Sequence, residues 1–241
     1  MLNYKINISI STILFFIFST MSYPAFAYQL HDGLYLGGQV GFGFARVTQR
    51  NNLFDIDNKV NAGYTVAATG VVGGGFIGYG INVIDYFYLG IEALGNASNV
   101  RGNNFYNLTP VTDANNKNLI SQSVLIKSTW GIDVVPGYKV TDYALLYGRL
   151  GIKWASFSST QDAIIIIKNI STNTNTPHRS TIKPGFNFGL GMELAVANQL
   201  SIRGELTHTT YQSYDASSTK TNISYKFHDN QAMVALIYHF A

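Results

Sequence analysis

From Gly185 to Leu194 every second residue is large and apolar. Phe186, Phe188, Leu190, Met192 and Leu194 alternate with Gly185, Asn187, Gly189, Gly191 and Glu193. A period of two sends successive side chains to opposite faces of an extended strand. The pattern recurs along the chain. Residues 34–45 carry Leu34, Leu36, Val40, Phe42 and Phe44 on one face, with Tyr35, Gly37, Gln39, Gly41 and Gly43 on the other. Further strands are predicted at about 69–81, from Phe87 through Ala93, at 123–138, from Leu146 to Trp154, at 182–195, at 200–211, and through Val234, Leu236, Tyr238 and Phe240 to the end. That makes eight, each near the 9–11 residues that cross a bilayer obliquely.

The connections alternate too. After strands two, four and six they take a few residues; after one, three, five and seven they run through about 46–68, 96–122, 157–180 and 212–227. Short turns on one rim and long loops on the other belong to barrels of the outer membrane, where an even strand number puts both termini in the periplasm. The long segments are rich in Asn, Ser and Thr and read as exposed loops. Within the third, residues 164–167 are four isoleucines. They read either as a hairpin standing above the membrane or as an adhesive apolar patch.

Composition supports lipid rather than water around the strands. Only 12% of residues are charged, about half the usual share, while Tyr, Phe and Gly are abundant. No stretch of the mature chain reads as a transmembrane helix, and in lipid the remaining spanning solution is a closed barrel. The absence of cysteine removes disulfides, thiolate metal sites and thiol nucleophiles together. A net charge of +3 without clustering gives no footing for nucleic acid. Lys5, the apolar run 8–18 and Pro24-Ala25-Phe26-Ala27 read as a secretory signal with its cleavage site. Residues 1–27 are therefore expected to be removed, and residues 28–241 to form one barrel domain.

Several pieces of the sequence resemble a known family. They are Gly33-Leu-Tyr-Leu-Gly-Gly38, Tyr88-Leu-Gly-Ile-Glu92, Gly137-Tyr-Lys-Val-Thr-Asp142, Leu146-Tyr-Gly-Arg-Leu-Gly151 and the closing Leu236-Ile-Tyr-His-Phe-Ala241. Together they are similar to the transmembrane barrel of the OmpA-like superfamily of small Gram-negative surface proteins. The resemblance implies an all-β fold, an eight-stranded antiparallel transmembrane β-barrel with up-and-down meander topology, in the cell outer membrane. It also implies a charged network inside the barrel through Glu92, Arg149, Glu193, Arg203 and Glu205. The family's inward lysine on strand four falls at Val135 here, and Lys153 or Lys183 could compensate. The C-terminal pair Tyr238 and Phe240 matches the pattern that the barrel-assembly machinery recognises. Some members continue into a peptidoglycan-binding domain; this sequence ends at its closing strand, so no wall-anchoring role is expected.

Alternation alone puts Glu92, Asp133, Glu193 and Glu205 on the inner face with Arg149, Lys153, Lys183 and Arg203. Charges in a narrow interior must be paired or hydrated. This balanced set reads as a structural ion-pair plug or as a gated, low-conductance pore. Acid–base catalysis is not expected from carboxylates so neutralised. His208 is followed by Thr209 and Thr210, unlike the His-x-Ser of barrel lipid deacylases. His31, His178, His228 and His239 are scattered and read as incidental, with no metal or triad spacing. Gly73-Gly74-Gly75 lacks the helix and Lys-Ser/Thr of a phosphate loop. The expectation is a non-enzymatic structural or surface-interaction barrel, adhesin- or antigen-like, without cofactor or metal. A small porin is the alternative and a lipid-modifying enzyme the more remote one. Expected partners are outer-membrane lipids, the assembly machinery and an extracellular or host ligand at the loops, with no nucleic acid.

Overall fold

The structure, a computed structural model, describes residues 32–54, 59–107, 116–167, 170–175, 179–218 and 221–240. The expected signal segment lies outside them, as do His31 and His178. The strands are β1 (Gly33–Phe54), β2 (Lys59–Ile84), β3 (Phe87–Asn107), β4 (Asn116–Thr141), β5 (Ala144–Ile167), β6 (Ile170–Asn175), β7 (Arg179–Ala197), β8 (Leu200–Tyr211), β9 (Tyr214–Ser218) and β10 (Thr221–His239). No helix occurs among the described residues. Eight strands, in the order β1-β2-β3-β4-β5-β7-β8-β10, form an antiparallel ring that the β1–β10 ladder closes. β6 pairs with β5 and β9 with β10, as short hairpins above the ring.

The register fixes the geometry of the barrel. Registered partners lead from Leu36 through Ile77, Ala93, Ile132, Ile152, Phe186, Thr210 and His228 back to β1 at Arg46, ten residues above the start. Ten residues of offset over eight strands, at 3.3 Å rise and 4.8 Å spacing, tilt the strands by about 40°. Each residue then climbs about 2.5 Å along the barrel axis. The tight turns Asp85-Tyr86, Asn198-Gln199 and Asp142-Tyr143 share one rim. Each is tied to a neighbouring strand by a backbone bond, from Lys139 N to Tyr86 O, Ala195 N to Tyr143 O and His239 N to Gln199 O.

The strands are much longer than the alternation predicts, and most of the segments expected as irregular loops continue the ladders. Their polarity explains the difference. In the lower part apolar residues point out, as with Phe42, Ile132, Leu150 and Leu236. Higher up the sign reverses. Val47, Phe157 and Phe227 are buried inside while Arg46 and Lys226 are exposed outside. Val66, Ala68, Val124 and Ile126 join them in an interior apolar cluster. The wall there stands in water, so polar-out, apolar-in strands looked like polar loop. The isoleucines 164–167 follow the hairpin reading in their backbone, since Ile167 pairs with Ile170 across β5 and β6.

Two outcomes are expected of this topology. A membrane-impermeant thiol reagent added to intact cells should label Thr172→Cys on β6, and Asp142→Cys only once the outer membrane is opened; the reverse order would invert the barrel. At the closure, Phe240 N donates to Leu34 O at 2.9 Å, and its ring meets Tyr238 edge-on at 5.1 Å. Phe240→Ala should therefore lower the yield of SDS-resistant barrel, read as the unheated, fast-migrating band on a gel.

Candidate functional site

The lumen is filled in layers. Upward along β5 the inward residues are Leu145, Tyr147, Arg149, Lys153, Ala155 and Phe157, all buried. Along β10 they run from His239, Ile237 and Ala235 through Met233, Gln231 and Asp229 to Phe227, again all buried. Mostly apolar residues at the periplasmic end, with His239 among them, thus give way to charge, then to amides, hydroxyls and Asp229, then to an apolar cap. The charged layer is where functional chemistry would have to act.

Glu92 is its hub. Its Oε1 accepts from Arg203 Nη1 at 2.5 Å and from the Tyr35 hydroxyl at 2.8 Å, and its Oε2 accepts from Arg149 Nη2. Arg149 also donates to Asp133 at 2.8 Å and lies 3.0 Å from Glu205. Arg203 donates through Nη2 and Nε to Glu193 at 2.8 and 3.1 Å. Its guanidinium lies against the rings of Tyr147, Phe76 and Tyr35, at 4.9, 5.0 and 5.7 Å. Glu193 and Arg203 face each other directly across the β7–β8 ladder. Arg203 reaches Glu92 only because the ring is closed.

The two tyrosines reach their carboxylates because each lies over a glycine. Tyr35 pairs with Gly78 and Tyr147 with Gly191, and a Cβ at Gly78 would clash with the Tyr35 ring and one at Gly191 with the Tyr147 hydroxyl. Tyr147 donates to Glu205 at 2.8 Å. Asp133 gains a further donor in Asn187 Nδ2 at 3.1 Å.

The position of the family's lysine, Val135, is fully buried and packs with Tyr88, Leu145 and Tyr147, so apolar contact replaces that charge. Neither lysine offered as compensation takes its place. Lys153 is buried in the field of Asp133, Glu205 and Asp229, yet among the described residues it forms no ion pair within 4 Å. Lys183 is half-buried towards the outer rim, ten residues from Glu193 on β7, and takes no part in the layer. The added donor is His239, whose Nε2 lies 2.9 Å from Glu193 Oε1. This corrects its reading as incidental. The inward parity of residue 239 was the available signal.

Ser201 Oγ stands 3.1 Å from His239 Nε2 and donates to Glu193 at 2.5 Å. The three residues do not form a nucleophile relay. Serine and carboxylate both meet Nε2, while among the described residues Nδ1 is buried without a partner; a relay needs one on each ring nitrogen. Among the described residues no group of three or more His, Asp or Glu is arranged to hold a metal. The layer ties the two sides of the barrel together across the axis.

Removing one partner of a buried pair leaves an uncompensated charge, a loss of about 3–5 kcal/mol. Arg203→Gln is expected at the lower end, read as the urea midpoint of the refolded barrel. A double-mutant cycle of Glu193→Gln with Arg203→Gln should give a coupling of about 1–3 kcal/mol; a coupling of zero would break the pairing without touching the fold.

Residues 13–227 match the family described as outer membrane protein beta-barrel domain. No protein of curated function matches the sequence. Among solved structures, the chain is similar to the outer membrane protein OprG from Pseudomonas aeruginosa, with 12% identity, 88% of this chain and 100% of that one covered, and a TM-score of 0.45. It is similar to the attachment invasion locus protein Ail of Yersinia pestis, with 9% identity over 81% of this chain and 98% of that one and a TM-score of 0.30. It is also similar to the outer membrane protease OmpT from Escherichia coli, with 8% identity, 89% and 100% covered and a TM-score of 0.47. Likenesses this distant carry nothing about activity. The family match spans most of the chain and the strands close into a transmembrane ring, so this protein belongs to the outer membrane protein beta-barrel domain family and resides in the outer membrane.

Proposed function

We propose that the protein is a plugged, non-enzymatic scaffold that presents an interaction surface outside the cell, in the manner of an adhesin or surface antigen. One observation carries this reading. The lumen is occupied across its section by Arg149, Arg203 and the carboxylates that bind them, each at most 8% exposed. A solute path would have to break that layer. The apolar cap around Val47, Val124 and Phe157 blocks the same axis a second time.

What remains accessible is the part above the membrane. β2 and β4 have 26 residues each, about 65 Å of axial height at the tilt derived above. An apolar band of outer-membrane type is about 25 Å tall. The excess carries the β5–β6 and β9–β10 hairpins outward on continuous strands.

The rival reading, a small low-conductance pore, uses the same charged residues as a gate. Purified protein in planar bilayers should show no stepwise conductance, and Glu92→Gln should leave the baseline flat; discrete steps in the unaltered protein would favour the pore. Deleting 162–175 should leave an SDS-resistant barrel but lower attachment of expressing bacteria to surfaces coated with extracellular matrix. Equal attachment with and without the hairpin would count against the surface role of this segment.

A further inference from the structure

The outer wall of β1, β10 and β8 changes character at one height. Leu36 pairs with Tyr238 near the periplasmic rim, and Arg46 pairs with His228 ten residues higher on the same two strands. At 3.3 Å per residue and a tilt of about 40°, these pairs stand about 25 Å apart, the height of the apolar band itself. Between them the outward residues include Val40, Phe42, Phe44, Val234 and Leu236, all exposed. Arg46 and His228 therefore lie where the hydrocarbon ends and the headgroups of the outer leaflet begin.

A side-chain cluster is assembled there. His208 Nδ1 lies 2.7 Å from Asn230 Oδ1, and its Nε2 lies 3.1 Å from Thr210 Oγ1. The same hydroxyl lies 3.2 Å from His228 Nδ1. The two imidazoles stack with centroids 5.8 Å apart. This chain of contacts holds both rings in place and leaves His228 Nε2 outside it. Lys226 and Arg46 both bear electrostatically on His228, and both are exposed on the outer face.

Charge is also divided between the rims. Arg46, Arg101 and Lys226 are exposed at the outer rim. Among residues whose side chains are described, the exposed carboxylates are Asp32, Asp85 and Asp142, all at the periplasmic rim. No described carboxylate competes with an anion at the outer wall.

We infer that Arg46, Lys226 and His228, with His208 ordering the His228 ring, bind the phosphate of an outer-leaflet lipid headgroup. A phosphate monoester offers three acceptor oxygens, matching a guanidinium fork, an ammonium and an imidazole brought together from two adjacent strands. The height decides the source. At the hydrocarbon boundary a phosphate tethered to acyl chains is delivered to the site, with its chains lying along Phe42, Phe44 and Val234, whereas a protein partner would have to displace lipid to reach it.

The test uses the full barrel in nanodiscs of phosphatidylcholine, with phosphatidic acid as the phosphate-bearing lipid and inorganic phosphate as the free anion. The ring proton signals of His208 and His228, assigned with H208N and H228N, are followed by NMR. Phosphatidic acid should move both signals, at a far lower phosphate content than inorganic phosphate requires. R46Q/K226Q should raise the half-saturating lipid content about 25-fold, a factor of about five for each basic residue beside an anionic lipid surface. Lys139→Gln, the loss of one positive charge beside the periplasmic turn, should change nothing. If the double variant does not insert, R46Q and K226Q are read singly, with about a fivefold loss each. Unchanged midpoints in these variants would overturn the site. Equal response to inorganic phosphate would overturn its assignment to lipid.

Discussion

A strand in hydrocarbon has no water to satisfy its N–H and C=O groups, so every one of them must find a partner in a neighbouring strand. The β1–β10 ladder, running from Tyr35–His239 to Leu53–Thr221, meets that demand for the two strands that would otherwise be edges. Closure then settles the rest. Eight strands with a ten-residue offset tilt by about 40° and enclose a backbone radius of about 8 Å. An interior that narrow is filled by the side chains of its own wall.

Filling it imposes a rule on every inward position. A large side chain can enter only where the facing position yields, which is why Tyr35 meets Gly78 and Tyr147 meets Gly191. A charge can enter only with compensation within reach. Glu92 meets that condition twice, between two guanidiniums contributed by β5 and β8. The layer tolerates Val135 in place of a lysine because Glu193 takes donors from Ser201 and His239 instead. The same set of carboxylates is satisfied by a different set of donors.

Most of this interior was legible in the sequence. Alternation identified Glu92, Asp133, Arg149, Glu193, Arg203 and Glu205 as inward, and the short turn between residues 195 and 200 made Glu193 and Arg203 neighbours. What alternation does not encode is the shear. It therefore does not set the distance from Arg203 to Glu92, 111 residues away in the chain, nor separate Lys153 and Lys183 from the charged layer. The strand lengths were missed for another reason. The apolar face changes from outside to inside near Arg46 and His228, and alternation of one sense ends there. The basic cluster on the outer wall was obscured for the same reason, since Arg46 and Lys226 come from segments read as loop.

That reversal divides one continuous wall into two regimes of stability. Below it the outward side chains meet lipid tails as apolar as themselves, and hydrogen-bond closure with interior packing holds the ring. Above it water surrounds the wall, and the hydrophobic effect operates as in a soluble protein. Val47, Val124, Ile126, Phe157 and Phe227 are removed from water, each burial contributing about 1.5–3 kcal/mol. Phe157 stacks on Phe227 at 4.3 Å and meets Tyr211 edge-on at 5.1 Å. The apolar cluster is continuous across the reversal, from Met233 and Val72 up to Val47 and Phe157. Strands paired in this way carry the outer hairpins on a hydrogen-bonded base. A binding segment held on such a base loses less conformational entropy on meeting its partner than one on a long flexible loop. Pairing of the ladders above the reversal therefore limits the backbone entropy that the outer hairpins have left to lose.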